Sequence, residues 1–132
     1  MGGYETLLRI RIMQVETPVD LSPMIENFVN HVNALLAANS IAMQSKKAHA
    51  EIGKKWTKIV IDTFDREGKR IGGSAYAFIS MTANYTKTLG QLEFGGIYKP
   101  ASWSAPAKHS RGNVQNPESF KCAGEYGIVY LN

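Results

Sequence analysis

Cysteine is nearly absent from this chain, with Cys122 standing alone among 132 residues. No internal disulfide can form, and no thiolate metal site can be built from cysteine alone, which favours a reducing compartment. No run is long and apolar enough to cross a bilayer, and the opening MGGYETLLRIRI lacks the uninterrupted apolar stretch of a signal peptide. Internal repeats, long linkers and low-complexity tracts are missing as well. So is a phosphate-binding P-loop, and Gly95-Gly96 is followed by no helical pattern that would make it a dinucleotide fingerprint. His31, His49 and His109 do not stand at metal-ligand spacing. Cys122 has no nucleophile motif around it, and the pairs Asp62 with Asp65 and Glu93 with Glu118 could meet only through the fold. These gaps exclude any recognisable catalytic constellation. The sequence therefore assigns no catalytic residue, no metal ligand and no cofactor, and it reads as a binder, not an enzyme.

The most informative absence is local. Between Gly95 and Asn113, GGIYKPASWSAPAKHSRGN, there is not one Asp or Glu. The stretch carries the cations Lys99, Lys108 and Arg111, the rings Tyr98, Trp103 and His109, and three serines. Planar surfaces beside phosphate-pairing donors suit an anionic, ring-bearing ligand such as a nucleotide. We read it as a ligand-binding loop shaped by its prolines and glycines. The competing reading is that Tyr98, Phe78 and Trp103 complete the core. A net charge of +4 permits nucleic acid as a partner without requiring it.

What is plentiful is apolar sequence. At 44% apolar, residues 1–132 form one domain with room for a real core. Tyr4–Val15 alternates, with Leu8, Ile10 and Ile12 opposite Arg9 and Arg11, and predicts an amphipathic strand. Ser22 and Pro23 read as N-cap and first turn of a helix whose stripe is Ile25, Phe28, Val29, Val32, Leu35 and Leu36, ending at Asn39 or Ser40. Asn33 and His31 lie off that stripe. Ile41–Lys55 reads as an irregular, basic bridge broken by Gly53. Trp56–Phe64 and Ile71–Met81 are β-rich runs joined by a polar turn, a hairpin in which Gly72-Gly73 marks a bulge or a close approach. Thr82–Gln91 reads as a loop, Leu92–Lys99 as a strand, and Glu125–Leu131 as the last strand. The expected fold is α+β, one amphipathic helix on a mainly antiparallel sheet built from β-hairpins.

The strings SAYAFIS (residues 74–80), YKPASWSAPAKHSRGN (98–113) and EYGIVYL (125–131) together resemble a family of small bacteriophage proteins, the anti-Thoeris sponges. Those proteins sequester cyclic ADP-ribose signals and, in some members, cyclic oligonucleotides. The resemblance covers the C-terminal half to two-thirds of the chain. It implies a phage protein acting in the host bacterial cytoplasm that holds an immune signal without cleaving it. Matched to the motif, Phe78 would stack a base, Arg111 with Gly112 and Asn113 would meet phosphate and ribose, and Gly127 and Lys55 would complete the site. Thr82–Gln91 departs from the family as a longer insertion. With the residue chemistry added, Phe78 and Trp103 are the stacking faces, Lys108 and Arg111 the phosphate clamps and Asn113 the sugar or base partner.

Stacking contributes about 1–3 kcal/mol per base, and a charge-assisted hydrogen bond about 1.5–3 kcal/mol. A few of each barely offset an association cost of about 4–15 kcal/mol, whereas nanomolar binding needs about 12 kcal/mol net. Closure of the loop or a second subunit must make up the difference, so a homo-oligomer is expected. Two rival functions stand beside it: a small basic nucleic-acid-binding protein, with Arg9, Arg11, Lys54, Lys55, Lys99, Lys108 and Arg111 around Trp56 and Trp103, and an inhibitor that binds a host protein directly through Trp103 and Tyr98.

Overall fold

The computed structural model describes residues 19–39, 45–124 and 127–129. The expected strand over Tyr4–Val15 lies outside the described residues, as do Glu125, Tyr126, Tyr130 and Leu131 of the expected last strand. The fold is α+β: one helix packed on a mainly antiparallel five-stranded sheet.

Helix α1 spans Ser22–Ala38 and buries Ile25, Phe28, Val32 and Leu36, residues three or four apart that share one face. Pro23 sits in its first turn, where a missing N–H costs nothing. Leu21, not Ser22, is the N-cap; the Asp20 carboxylate accepts from the Ser22 N–H at 3.0 Å. Asn39 closes the helix, its N–H donating to Leu36 O.

The large sheet runs in the order β1 (Ser45–Glu51), β2 (Trp56–Phe64), β3 (Arg70–Ser80), β6 (Gly96–Pro100), β7 (Pro106–Asn113). The β2–β3 hairpin is as the two β-rich runs and the polar turn between them predict. The region read as an irregular bridge is in fact a strand: Ser45–Glu51 pairs with Phe64–Lys58 over its whole length. Its lysines hid it, because an edge strand needs only one apolar face and tolerates charge on the other. Between β3 and β6 the insertion folds into a miniature hairpin, β4 (Tyr85–Thr86) and β5 (Gly90–Gln91). After β7 comes a 3-10 helix, Pro117–Cys122, and a short pair, β8 (Ala123–Gly124) with β9 (Gly127–Ile128).

The core lies between one sheet face and α1. Ala48, Ile59, Ile61, Ala77, Ile79 and Ile97 face Ile25, Phe28 and Val32, and Phe120 of the 3-10 helix meets Phe28 edge to face at 5.2 Å. The opposite face carries Trp56, Phe78, Tyr98 and Leu92 as a second, smaller cluster. Gly72-Gly73 does not itself form a bulge. The register shifts fall on either side, at Tyr76 and Ile71, and what crowds Gly73 is the Arg70 guanidinium, which occupies the space a Cβ would need.

Candidate functional site

The stretch from Gly95 to Asn113 is a hairpin and not a loop. Strands β6 and β7 pair from Gly96↔Asn113 to Pro100↔Pro106, and the tip is tied by the Ala101 N–H donating to Ala105 O at 2.8 Å. Alternation of apolar and polar residues is weak here, since Pro100, Pro106 and two register irregularities interrupt it. The composition of a loop thus concealed a ladder.

That hairpin joins β3 at only two residue pairs, Phe78↔Tyr98 and Ile79↔Ile97. Beyond them the strands part. The extra residue Tyr76 bends β3 away, as bulges do, and Pro100 brings no N–H to continue the ladder. A cavity opens on each face of this split, and both are lined by Ser74, Ala75 and Pro100.

On the helix side the cavity is ≈ 170 Å³, floored by Leu36, Ile61 and Ile128, with Lys46, Lys99, Tyr76 and Gly127 around it. The Tyr76 hydroxyl donates to Gly124 O at 2.6 Å, and burial, then the neighbouring Cys122, push its ionisation well above the ordinary phenol range. It stays neutral. Burial likewise pushes the Cys122 thiol up to about 11, which keeps it inert at neutral pH. On the open side the cavity is ≈ 310 Å³, walled by Ala101, Ser102 and Trp103. No carboxylate lines either cavity. The nearest acidic residue along β2, Asp62, accepts from Arg70 Nε at 2.7 Å and lies 2.8 Å from His49 Nδ1. The Arg70 hydrogen bond leads in holding its carboxyl below the usual range, so its charge is already engaged.

Trp103 is 50% exposed, while Phe78 and Tyr98 are 4% and 2% exposed. Of the two expected stacking rings, only Trp103 presents an accessible face. Phe78 is a core residue, meeting Trp56 edge to face at 6.3 Å. Lys58 stands between the two, its Nζ 3.9 Å from the Trp103 centroid and 5.8 Å from that of Phe78. Both separations are within the range of cation–π attraction.

The other expected site residues scatter. Gly127 borders the helix-side cavity. Lys55 lies exposed in the β1–β2 turn, at the far end of the β2–β3 ladder, where its carbonyl accepts from Met81 N–H. Lys108 is exposed on β7 and Arg111 is partly buried there; neither lines the split. Asn113 is committed inside the fold: its amide donates to Glu93 Oε1 at 3.0 Å and Phe94 O at 2.9 Å, and its Oδ1 accepts from Gln115 N–H at 2.8 Å. The cations that line the split are Lys46 and Lys99, and Lys58 stands beside it over the Trp103 ring. Lys99 was visible in the carboxylate-free stretch and Lys46 among the lysines of the basic bridge; which of those lysines faces the split follows only from β1 being a strand. Among the described residues no three His, Cys, Asp or Glu side chains group so as to hold a metal ion, and no helix is long and apolar enough to cross a membrane.

Compared with known proteins, residues 21–126 match the model of a family of unknown function (DUF7717). No curated protein and no solved structure matches the chain.

Proposed function

The chain belongs to that family, and we propose that it binds a nucleotide at the split between β3 and β6 and holds it without cleaving it. The observation that carries this is the lining: Lys46 and Lys99 on one face and Trp103 beside Lys58 on the other, with no carboxylate in either cavity. A phosphate would find two ammonium groups on an apolar floor, where the lower dielectric strengthens the attraction. A base would find an accessible indole face. Neither cavity is lined by a histidine, carboxylate or thiol that could act as base or nucleophile, which favours binding over hydrolysis.

The finer form of the proposal is a phage-encoded anti-defence protein that sequesters a cyclic nucleotide signal, a cyclic ADP-ribose isomer or a cyclic oligonucleotide, in the host bacterial cytoplasm. Its support is the resemblance carried by residues 98–113, whose Trp103 stands at the split. Both cavities are small for a whole nucleotide, which favours completion of the site by a second copy of the chain in a homo-oligomer.

Thermal shift and calorimetry against cyclic ADP-ribose isomers, cyclic di- and trinucleotides and short single-stranded DNA test this. The expected result is strong stabilisation by one cyclic nucleotide, recovered intact on heating. Lys46→Ala and Lys99→Ala are each expected to weaken that binding about 10- to 100-fold, the loss of one charge-assisted contact. Binding to DNA alone, fading steeply with salt, would replace the reading with nucleic-acid binding. No response to any nucleotide would favour a direct protein inhibitor.

A further inference from the structure

A third cavity, of ≈ 280 Å³, lies at the other edge of the open face between β5, β6 and β7, lined by Leu89, Gln91, Glu93, Tyr98, His109 and Ser110. It shares no lining residue with the split. Its volume falls just below the ~300 Å³ at which pockets for drug-sized ligands begin, so it suits one planar group better than a whole nucleotide.

The polar groups in it form a defined pattern. Tyr98 is a buried residue whose hydroxyl accepts from the Glu93 N–H at 3.0 Å. Among the described residues no acceptor takes the Tyr98 proton in return, so the hydroxyl has a donor to offer. Glu93 is the complement. Its Oε1 accepts from the Asn113 amide at 3.0 Å and its Oε2 from the Ser110 hydroxyl. A carboxylate oxygen has room for two such bonds, so each oxygen keeps one acceptor site. The two bonds also fix the carboxylate, whose rotation would otherwise cost binding energy. Tyr98 and Glu93 both line the cavity, which therefore offers one donor and two acceptors. His109 and Leu89 supply a ring and an apolar wall.

His109 adopts φ +72°, the left-handed conformation, and among the described non-glycine residues it alone does so. Such a backbone is costly for a residue with a Cβ and clusters at functional sites.

From this pattern we infer that the cavity is a base-edge site for guanine. The Watson–Crick edge of guanine presents a carbonyl acceptor followed by two N–H donors. The carbonyl would take the Tyr98 proton, and the two N–H groups would donate to the two Glu93 oxygens. Adenine and cytosine offer one amino group and a ring-nitrogen acceptor on that edge, which leaves one Glu93 acceptor unmet. Uracil would set a carbonyl against the carboxylate. A lysine or arginine side chain has no acceptor for Tyr98. Sites built around hydrogen bonds reject the ligand that leaves them unpaired.

Titration of the purified protein with GMP, AMP, CMP and UMP, followed by calorimetry and by amide chemical shifts, tests the inference. GMP is expected to bind at least about 10-fold more tightly than AMP, a difference of about 1.4 kcal/mol. Shifts should centre on Gln91, Glu93, His109 and Ser110. Glu93→Gln is isosteric but replaces an acceptor with a donor, and should erase the preference in a protein whose circular dichroism is unchanged. Tyr98→Phe should weaken GMP more than AMP. Lys46→Ala and Lys99→Ala should leave the preference intact. Equal affinity for GMP and AMP, no GMP binding, shifts confined to residues 74–76 and 99–103, or a preference that survives Glu93→Gln would each overturn it. A preference lost in Lys46→Ala and kept in Glu93→Gln would also overturn it, while leaving the proposed function standing. Should Glu93→Gln fail to fold, the shift map on the wild-type chain decides.

Discussion

Asn33 reaches from α1 to the outer edge of β1 and does for Ala48 what a neighbouring strand would do. Its Nδ2 donates to Ala48 O at 3.1 Å and its Oδ1 accepts from Ala48 N–H at 2.7 Å. In the sequence Asn33 is only a polar residue off the apolar stripe, because nothing local says that an edge strand will lie against it. Asn33→Ala should lower stability by about 1–3 kcal/mol, since the amide leaves two backbone groups half-buried and unpaired. Urea denaturation measures this. Asp62 gives the pH dependence. Its folded carboxyl titrates below its ordinary value, chiefly through the Arg70 hydrogen bond. The stability it contributes is therefore present above the unfolded carboxylate range and is lost as pH falls through the lower, folded value. Below about pH 4 the wild type should lose stability more steeply than Asp62→Asn, as read from melting temperatures between pH 2 and 7.

At the scale of elements, the β6–β7 hairpin depends on close packing against the 3-10 helix. A Cβ on Gly112 would stand 2.9 Å from Ser119 O and 3.1 Å from Cys122 Sγ. Ser119 adds a bridge, its hydroxyl accepting from Asn113 N–H at 2.8 Å and donating to Asn113 O at 2.9 Å. Gly112→Ala should destabilise by about 1–3 kcal/mol through overpacking, with the loss seen as a lower denaturation midpoint. The sequence motif Arg-Gly-Asn drew attention to Gly112 and Asn113 as ligand contacts. Their neighbours show that both are held by structural contacts: close approach for the glycine, an internal amide network for the asparagine. Helix α1 was legible because its apolar period of 3.6 is long and unbroken, and the β2–β3 hairpin because two β-rich runs flank a polar turn carrying glycine. Strand β1 was not, since Ser45–Glu51 holds only two alanines on its core side.

At the scale of the molecule, α1 and the 3-10 helix cover one sheet face except at the helix-side cavity, and the other face carries the two remaining cavities. Sites on rigid strands hold their groups more accurately than sites on loops, and here the bulge at Tyr76 and the ladder ending at Phe78↔Tyr98 open the split. By itself the sequence determined the α+β class, the helix, the central hairpin and the carboxylate-free segment that reaches the split. These follow from local periodicity and composition, which each residue carries with it. The tertiary structure alone decided that Phe78 is core and Trp103 is open. It also decided that Lys46 and Lys99 line the helix side of the split and Lys58 stands by Trp103 on the open side, while Lys55, Lys108 and Asn113 line neither cavity, and that Glu93 meets Tyr98 across a turn. Which side chains converge depends on register, bulges and where a ladder ends. Those are properties of pairs of strands, and no single segment of sequence contains them.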